Sequence, residues 1–210
     1  MKKIIFTVIF ILLAVTTYLQ AQDSKIEKIN KFCNKINENI GEDDSFSGYF
    51  IHTIKLVTNR RAIGGQITTI KFYYEQQGDT LIEKGDNSEF LDIYKPPVKI
   101  SIEYNIAASQ NIKIEYYPNE KGKLIYYYYL TQGAYTKGEE YFYFENEKPI
   151  KIKSVGLHSE YEVLEEYKNF ERDKDFTKDD LKKCKKIIKN WEDYKKMFDQ
   201  MIYIEKFDKY

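Results

Sequence analysis

Arginine is nearly missing from this chain. Of 33 basic residues only Arg60, Arg61 and Arg172 carry a guanidinium group, and the rest are lysine. Planar, two-point grips on carboxylate or phosphate are therefore scarce. Histidine is rarer still, with His52 and His158 alone. No His-Glu-x-x-His helix and no Gly-x-Ser-x-Gly elbow occurs, which removes the common zinc-hydrolase and serine-hydrolase signatures. The two cysteines, Cys33 and Cys184, form no Cys-x-x-Cys motif and are too few for a zinc site of known spacing. Basic and acidic residues balance at 33 each, so there is no electrostatic footprint for nucleic acid. No metal and no cofactor is implied.

Only one long apolar run exists, Ile4 to Val15. It is shorter than the roughly 20 residues that a spanning helix needs. Met1-Lys2-Lys3 precedes it, and Thr16 to Ala21 turns polar and ends on a small residue. Charge, apolar run and small residue in that order read as a secretory leader over 1–21, cleaved after Ala21. A retained anchor is the alternative. The first cysteine is Cys33, so no lipid-anchored cysteine stands at the cleavage point. The remainder, 22–210, has the size of one domain with a real core, without a membrane span and outside the cytoplasm.

That remainder is rich in rings, with 20 tyrosines and 13 phenylalanines, and disordered chains lack them. Ile26, Ile29, Phe32, Cys33, Ile36 and Ile40 recur at helical spacing and predict a helix over 24–40. Ser24 with Glu27 has the form of a capping box at its start, and Gly41 is a stop. From about residue 47 the period becomes two: Val98, Ile100, Ile102 and Tyr104 alternate with Lys99, Ser101 and Glu103, and the runs around Ile70, Ile114 and Ile152 do likewise. Turn signals at Gln77-Gly78-Asp79, 118–122 and 146–149 are too short for parallel crossovers. All four prolines (96, 97, 118 and 149) fall at strand ends, where a missing N–H does least harm.

The expectation is an antiparallel meander of seven or eight strands over 47–155, followed by helices over 160–171 and 178–203. Ser159 with Glu162, and Thr177 with Asp180, have the form of their caps. The last helix has an apolar stripe of Leu181, Cys184, Ile188, Trp191, Tyr194 and Phe198. Its other face carries Lys182, Lys186, Lys189, Asp193 and Lys196, a lysine run that is ordinarily just a solvated face. The predicted fold is α+β, one sheet packed against N- and C-terminal helices. A closed or half-closed barrel is the alternative.

Few constellations carry chemistry. Cys33 and Cys184 each lie on the apolar stripe of a terminal helix. An exported chain with an even count permits a disulfide between them; two buried thiols are the other reading. His52 shares a face with Phe50, Ile54 and Leu56 and reads as a hydrogen-bonded core histidine. His158 reads as a solvent-facing residue near a turn. Adjacent residues on a strand point to opposite faces, so Glu139 and Glu140 cannot act as a dyad. Residues 59–65, with two arginines and two glycines, read as a hairpin loop.

The most unusual feature is the tyrosine density over 116–143, with Tyr126 to Tyr129 consecutive. Phe142 and Phe144 belong in the core, so Tyr117, Tyr127, Tyr129, Tyr141 and Tyr143 are the expected aromatic patch on three neighbouring strands. Such a patch suits stacking on sugars or docking a peptide or protein. Tyrosine is also simply a good strand former.

The junction Tyr18-Leu19-Gln20-Ala21-Gln22-Asp23 and the lysine- and isoleucine-rich meander resemble small exported proteins of Bacteroidetes-type bacteria. The resemblance is compositional. It implies a bacterial periplasmic or secreted location and carries no function. The leading expectation is a non-catalytic binding module whose tyrosine face takes a glycan, peptide or protein. The alternatives are a carrier of a hydrophobic ligand and a carboxylate-based hydrolase.

Overall fold

The computed structural model describes residues 22–42, 44, 47–60, 64–84, 87–106, 110–133, 136–158 and 169–207. The leader, the Ser159–Glu162 cap, Glu165 and Glu166 lie outside them. The chain divides into two units, ending at Glu38 and beginning at Asn39. The first holds most of helix α1, over 22–40, whose residues Ile26, Cys33, Ile36 and Ile40 are buried along one stripe. The helix is already under way at residue 22, so Ser24 lies inside it and is not a cap. It ends at Gly41, whose φ of 77° is the left-handed conformation that glycine adopts without strain.

The second unit is an open, eight-stranded antiparallel sheet with one long helix. The strands are β1 (Phe50–Arg60), β2 (Gly64–Tyr74), β3 (Gln76–Lys84), β4 (Asn87–Tyr94), β5 (Lys99–Ile106), β6 (Gln110–Pro118), β7 (Leu124–Gly133), β8 (Thr136–Glu145), β9 (Lys148–His158) and β10 (Phe170–Arg172). Their order in the large sheet is β1-β2-β5-β6-β7-β8-β9-β10, with β3-β4 forming a two-stranded sheet. The sheet is a meander from β5 onward and does not close, so the barrel alternative falls. The turn expected at 77–79 is instead part of β3, which carries a register shift between Gln76 and Gly78. Residues 170–172, expected as the end of a helix, pair with β9 as an edge strand. His158 ends β9.

The tight turns form where the sequence supplies their chemistry. At β6–β7 the Asn119 side-chain oxygen accepts from the N–H groups of Lys121 and Lys123, both at 3.0 Å, and Gly122 takes a φ of 71°. At β8–β9 Asn146 and Glu147 both have positive φ, at 50° and 65°, the backbone of a two-residue hairpin loop whose twist matches its strands.

Register assigns every side chain to a face. One face of the sheet, hereafter the core face, presents Ile70, Phe72, Tyr74, Ile100, Ile102, Tyr116, Tyr127, Phe142 and Ile152, all buried. Helix α2 (Lys178–Phe207) covers it with Cys184, Ile187, Trp191 and Phe198. Leu181, expected in that stripe, is 41% exposed. The helix opens on a reciprocal cap. Asp180 N–H donates to the Thr177 hydroxyl at 3.1 Å and Thr177 N–H to the Asp180 carboxylate at 2.8 Å. Arg172 on β10 donates to the same carboxylate at 2.7 Å, which ties helix to sheet edge. Across the sheet, Trp191 donates its indole N–H to the Gly122 carbonyl at 3.3 Å. Phe198 meets Tyr74 at 5.1 Å and Phe72 at 5.6 Å between centroids. His52 stacks on Tyr74 at 5.0 Å, on the core face as its alternation indicates.

Cys33 and Cys184 are each buried on the apolar stripe of their own helix. Burial raises the Cys184 thiol to about 11, so it is protonated and behaves as a small hydrophobe.

Trp191 is 1% exposed at the centre of this contact. Trp191→Ala should cost about 3–5 kcal/mol, read as a fall in the urea midpoint followed by far-ultraviolet circular dichroism.

Candidate functional site

The face of the sheet opposite α2, hereafter the outer face, is where the tyrosines were expected to gather. The register splits the expected five. Tyr117 pairs with Tyr126, and Tyr126 with Tyr143; Tyr128 pairs with Tyr141. Those residues share the outer face. Tyr127 lies opposite Tyr116 and Phe142, and Tyr129 opposite Ile114 and Glu140, all on the core face. Tyr127 packs edge-on against Tyr116 at 5.1 Å and Phe142 at 5.5 Å.

The cause is one residue. Between the pairs Tyr117–Tyr126 and Pro118–Leu124, β7 advances by two positions and β6 by one, so Ile125 is an extra residue in the ladder. A bulge of this kind flips the phase of everything beyond it. Without it Tyr127 and Tyr129 would share the face of Tyr117. The patch is narrowed further by burial, since Tyr117 and Tyr143 are 1% and 7% exposed. Of the five, Tyr141 alone offers a part-exposed ring on the outer face. Tyr126 and Tyr128, the neighbours that sequence reasoning passed over, are the other two.

The outer face is graded. At the end nearest the β6–β7 turn it is buried yet charged. Glu115 accepts from Lys99 at 2.8 Å, from Lys113 at 3.0 Å and from the Tyr117 hydroxyl at 2.8 Å. The Lys99 ammonium also stands 5.2 Å from the Tyr117 ring and 5.7 Å from the Tyr73 ring, within cation–π range. Burial pushes the Glu115 carboxyl up, but the two lysines outweigh it and its pKa lies below the ordinary range. Beside this network, Asp44 accepts from the Lys71 ammonium and, at 3.2 Å, from the Tyr73 hydroxyl.

The middle of the face holds Tyr128 and Tyr141, their rings 5.3 Å apart. Glu139 takes hydrogen bonds from both hydroxyls and from Lys137, the last at 2.7 Å. Burial, and then the Glu139 charge, raise the Tyr128 hydroxyl to about 12. Lys153 stands 5.7 Å over the Tyr141 ring. These contacts fix two half-buried rings at a tilt of 49° to each other, with their hydroxyls turned onto one carboxylate.

Beyond the rings the face falls into an open depression of about 430 Å³, lined by Ile67, Thr69, Glu103, Asn105, Asn111, Lys113, Leu130 and Gln132 among others. Asn111 and Gln132 are cross-strand partners, as are Glu103 and Lys113. Asn105 accepts from the Ile67 N–H at 3.0 Å and holds the β2 end of the floor. Among the described residues no group of three or more His, Cys, Asp or Glu is placed to hold a metal ion. Glu139 and Glu140 point to opposite faces, as alternation requires, the first to Tyr141 and the second to Lys183.

Set against known protein families, curated proteins and solved structures, the chain matches none.

Glu115→Ala should cost about 3–5 kcal/mol, because it strands Lys99 in a buried site, whereas Lys99→Met combined with Glu115→Leu should recover most of that loss. The Glu115 contribution is fully present above the unfolded carboxylate pKa of about 4.3. It is lost as pH falls through the lower folded value. Urea midpoints over that acid window should fall more steeply for the wild type than for the double variant.

Proposed function

We propose that this chain is a non-catalytic binding module, that its ligand face is the outer face of the sheet, and that its ligand is a glycan. One observation carries the reading: the Tyr128–Tyr141 ring pair is locked by Glu139 and shares the outer face with an open depression whose lining includes Asn105, Asn111 and Gln132. A sugar presents C–H faces and hydroxyl edges. Rings held rigid and part-exposed suit the first at little entropic cost, and Asn111 and Gln132, each with a donor and an acceptor, suit the second.

The acids argue for binding rather than catalysis. Glu115 and Glu139 are both held below the ordinary carboxylate range by lysines and tyrosine hydroxyls, which unfits them as proton donors near neutrality. The depression is open and rich in amides, which suits a polar ligand better than an apolar cargo. The leader-like residues 1–21 support a place outside the cytoplasm, in the periplasm or beyond. Among the described residues no helix is long and apolar enough to cross a membrane.

The test is a neutral-glycan array followed by calorimetry on any hit. Tyr128→Ala and Tyr141→Ala should each weaken binding by about tenfold, as expected for losing one well-packed ring worth roughly 1 kcal/mol or more. Tyr129→Phe, on the core face, should bind as the wild type does. Equal affinity of all three variants would remove the outer face as the site.

A further inference from the structure

We propose that the outward side of α2 docks on an anionic lipid bilayer surface. Lys182, Lys185, Lys186 and Lys189 are all exposed and lie within eight residues of one helix. Their spacings of three, four and seven residues place them on one side. None of them enters an ion pair among the described residues. Of the acids beside the stripe on the helix, Asp179 precedes it by three residues and Asp193 follows it by four, and Asp193 is paired with Lys196 at 4.0 Å.

The stripe is a cost to the helix. Lys182 and Lys186, and Lys185 and Lys189, are like charges four residues apart, which destabilises a helix by about as much as an opposite pair there would stabilise it. A glutamate at either inner position would relieve it. Concentrated positive charge on a chain with no net charge points to a counter-surface of opposite sign.

Its chemistry selects the kind of surface. There is no arginine in the stripe, so the planar fork that recognises an individual phosphate is missing. Lysine ammoniums on flexible stems act as point charges and suit a diffuse potential, such as that of anionic lipid headgroups. Leu181, exposed at the head of the stripe, can enter the interfacial layer beside them. Each lysine near such a surface strengthens binding by about fivefold.

The test is co-sedimentation of the full chain with vesicles of phosphatidylcholine alone, and of phosphatidylcholine mixed with phosphatidylglycerol. The readout is the difference between the two, in which any contribution of the apolar residues near the N-terminus cancels. The wild type should pellet with the anionic vesicles and be released as salt rises, and Lys182→Gln, Lys185→Gln, Lys186→Gln and Lys189→Gln together should lower that binding by at least about 100-fold with an unchanged urea midpoint. Equal pelleting on both vesicle types, salt-insensitive pelleting, or a quadruple variant that binds as the wild type does would overturn the proposal. So would retention on heparin without anionic-vesicle binding, which would make the partner a soluble polyanion. Glycan binding at the outer face is read separately and does not depend on any of these outcomes.

Discussion

The contact between α2 and the aromatic rows of the core face is what the rest of the second unit depends on. Trp191, Cys184, Ile187 and Phe198 bury themselves against Phe72, Ile100, Tyr116, Tyr127 and Phe142. A strand that slipped by one residue would turn its apolar set away from the helix and its polar set toward it. The helix thus holds every strand it touches in one phase, and that phase decides which groups reach the outer face. The indole N–H of Trp191 adds a directional constraint. By bonding the Gly122 carbonyl, it pins the β6–β7 turn, next to the bulge at Ile125 that sets the register of β7.

The outer face solves burial differently. Where a core would use hydrocarbon, this end of the sheet uses Lys99, Glu115, Tyr117 and Tyr73, each of them buried. Burying single charges is prohibitive, but a carboxylate met by two ammoniums and a hydroxyl is satisfied. Tyrosine serves here because its ring packs and accepts a cation while its hydroxyl donates. The same device recurs at Glu139, with two tyrosines and a lysine around one carboxylate, and there it is only partly covered. A structural motif becomes a candidate site at the place where it meets solvent.

The meander was legible in the sequence because the period of two is strict in β5 and β6, and because the hairpin signals at 118–122 and 146–149 have unambiguous chemistry. The last helix was legible too: Thr177 with Asp180 caps it, and its apolar stripe matches the core face. The tyrosine patch was misread because four consecutive tyrosines carry no phase of their own. Their orientation rests on one bulged residue, Ile125, which side-chain pattern alone does not mark. The β3–β4 pair was missed for a related reason: Gln77-Gly78-Asp79 has the composition of a turn, yet the chain runs through it as a strand with a register shift. Strand β10 is three residues long, too short to have any period, and its place follows from the Arg172–Asp180 ion pair that ties it to the start of α2.

The two candidate surfaces lie on opposite sides of one sheet, and their chemistries are kept apart by its thickness. The exposed lysines of α2 stand about a helix diameter, roughly 10 Å, beyond the core face. The rings of Tyr128 and Tyr141 lie across the sheet from it. That separation exceeds the Debye length of about 8 Å at physiological salt, so the lysine stripe contributes little potential at the outer face, where the nearby charges of Glu103, Lys113, Glu115 and Glu139 are of both signs. A neutral ligand on one side and an anionic surface on the other would then be engaged independently. The helix that fixes the register of the sheet would also orient it, with its binding face turned away from the surface it rests on.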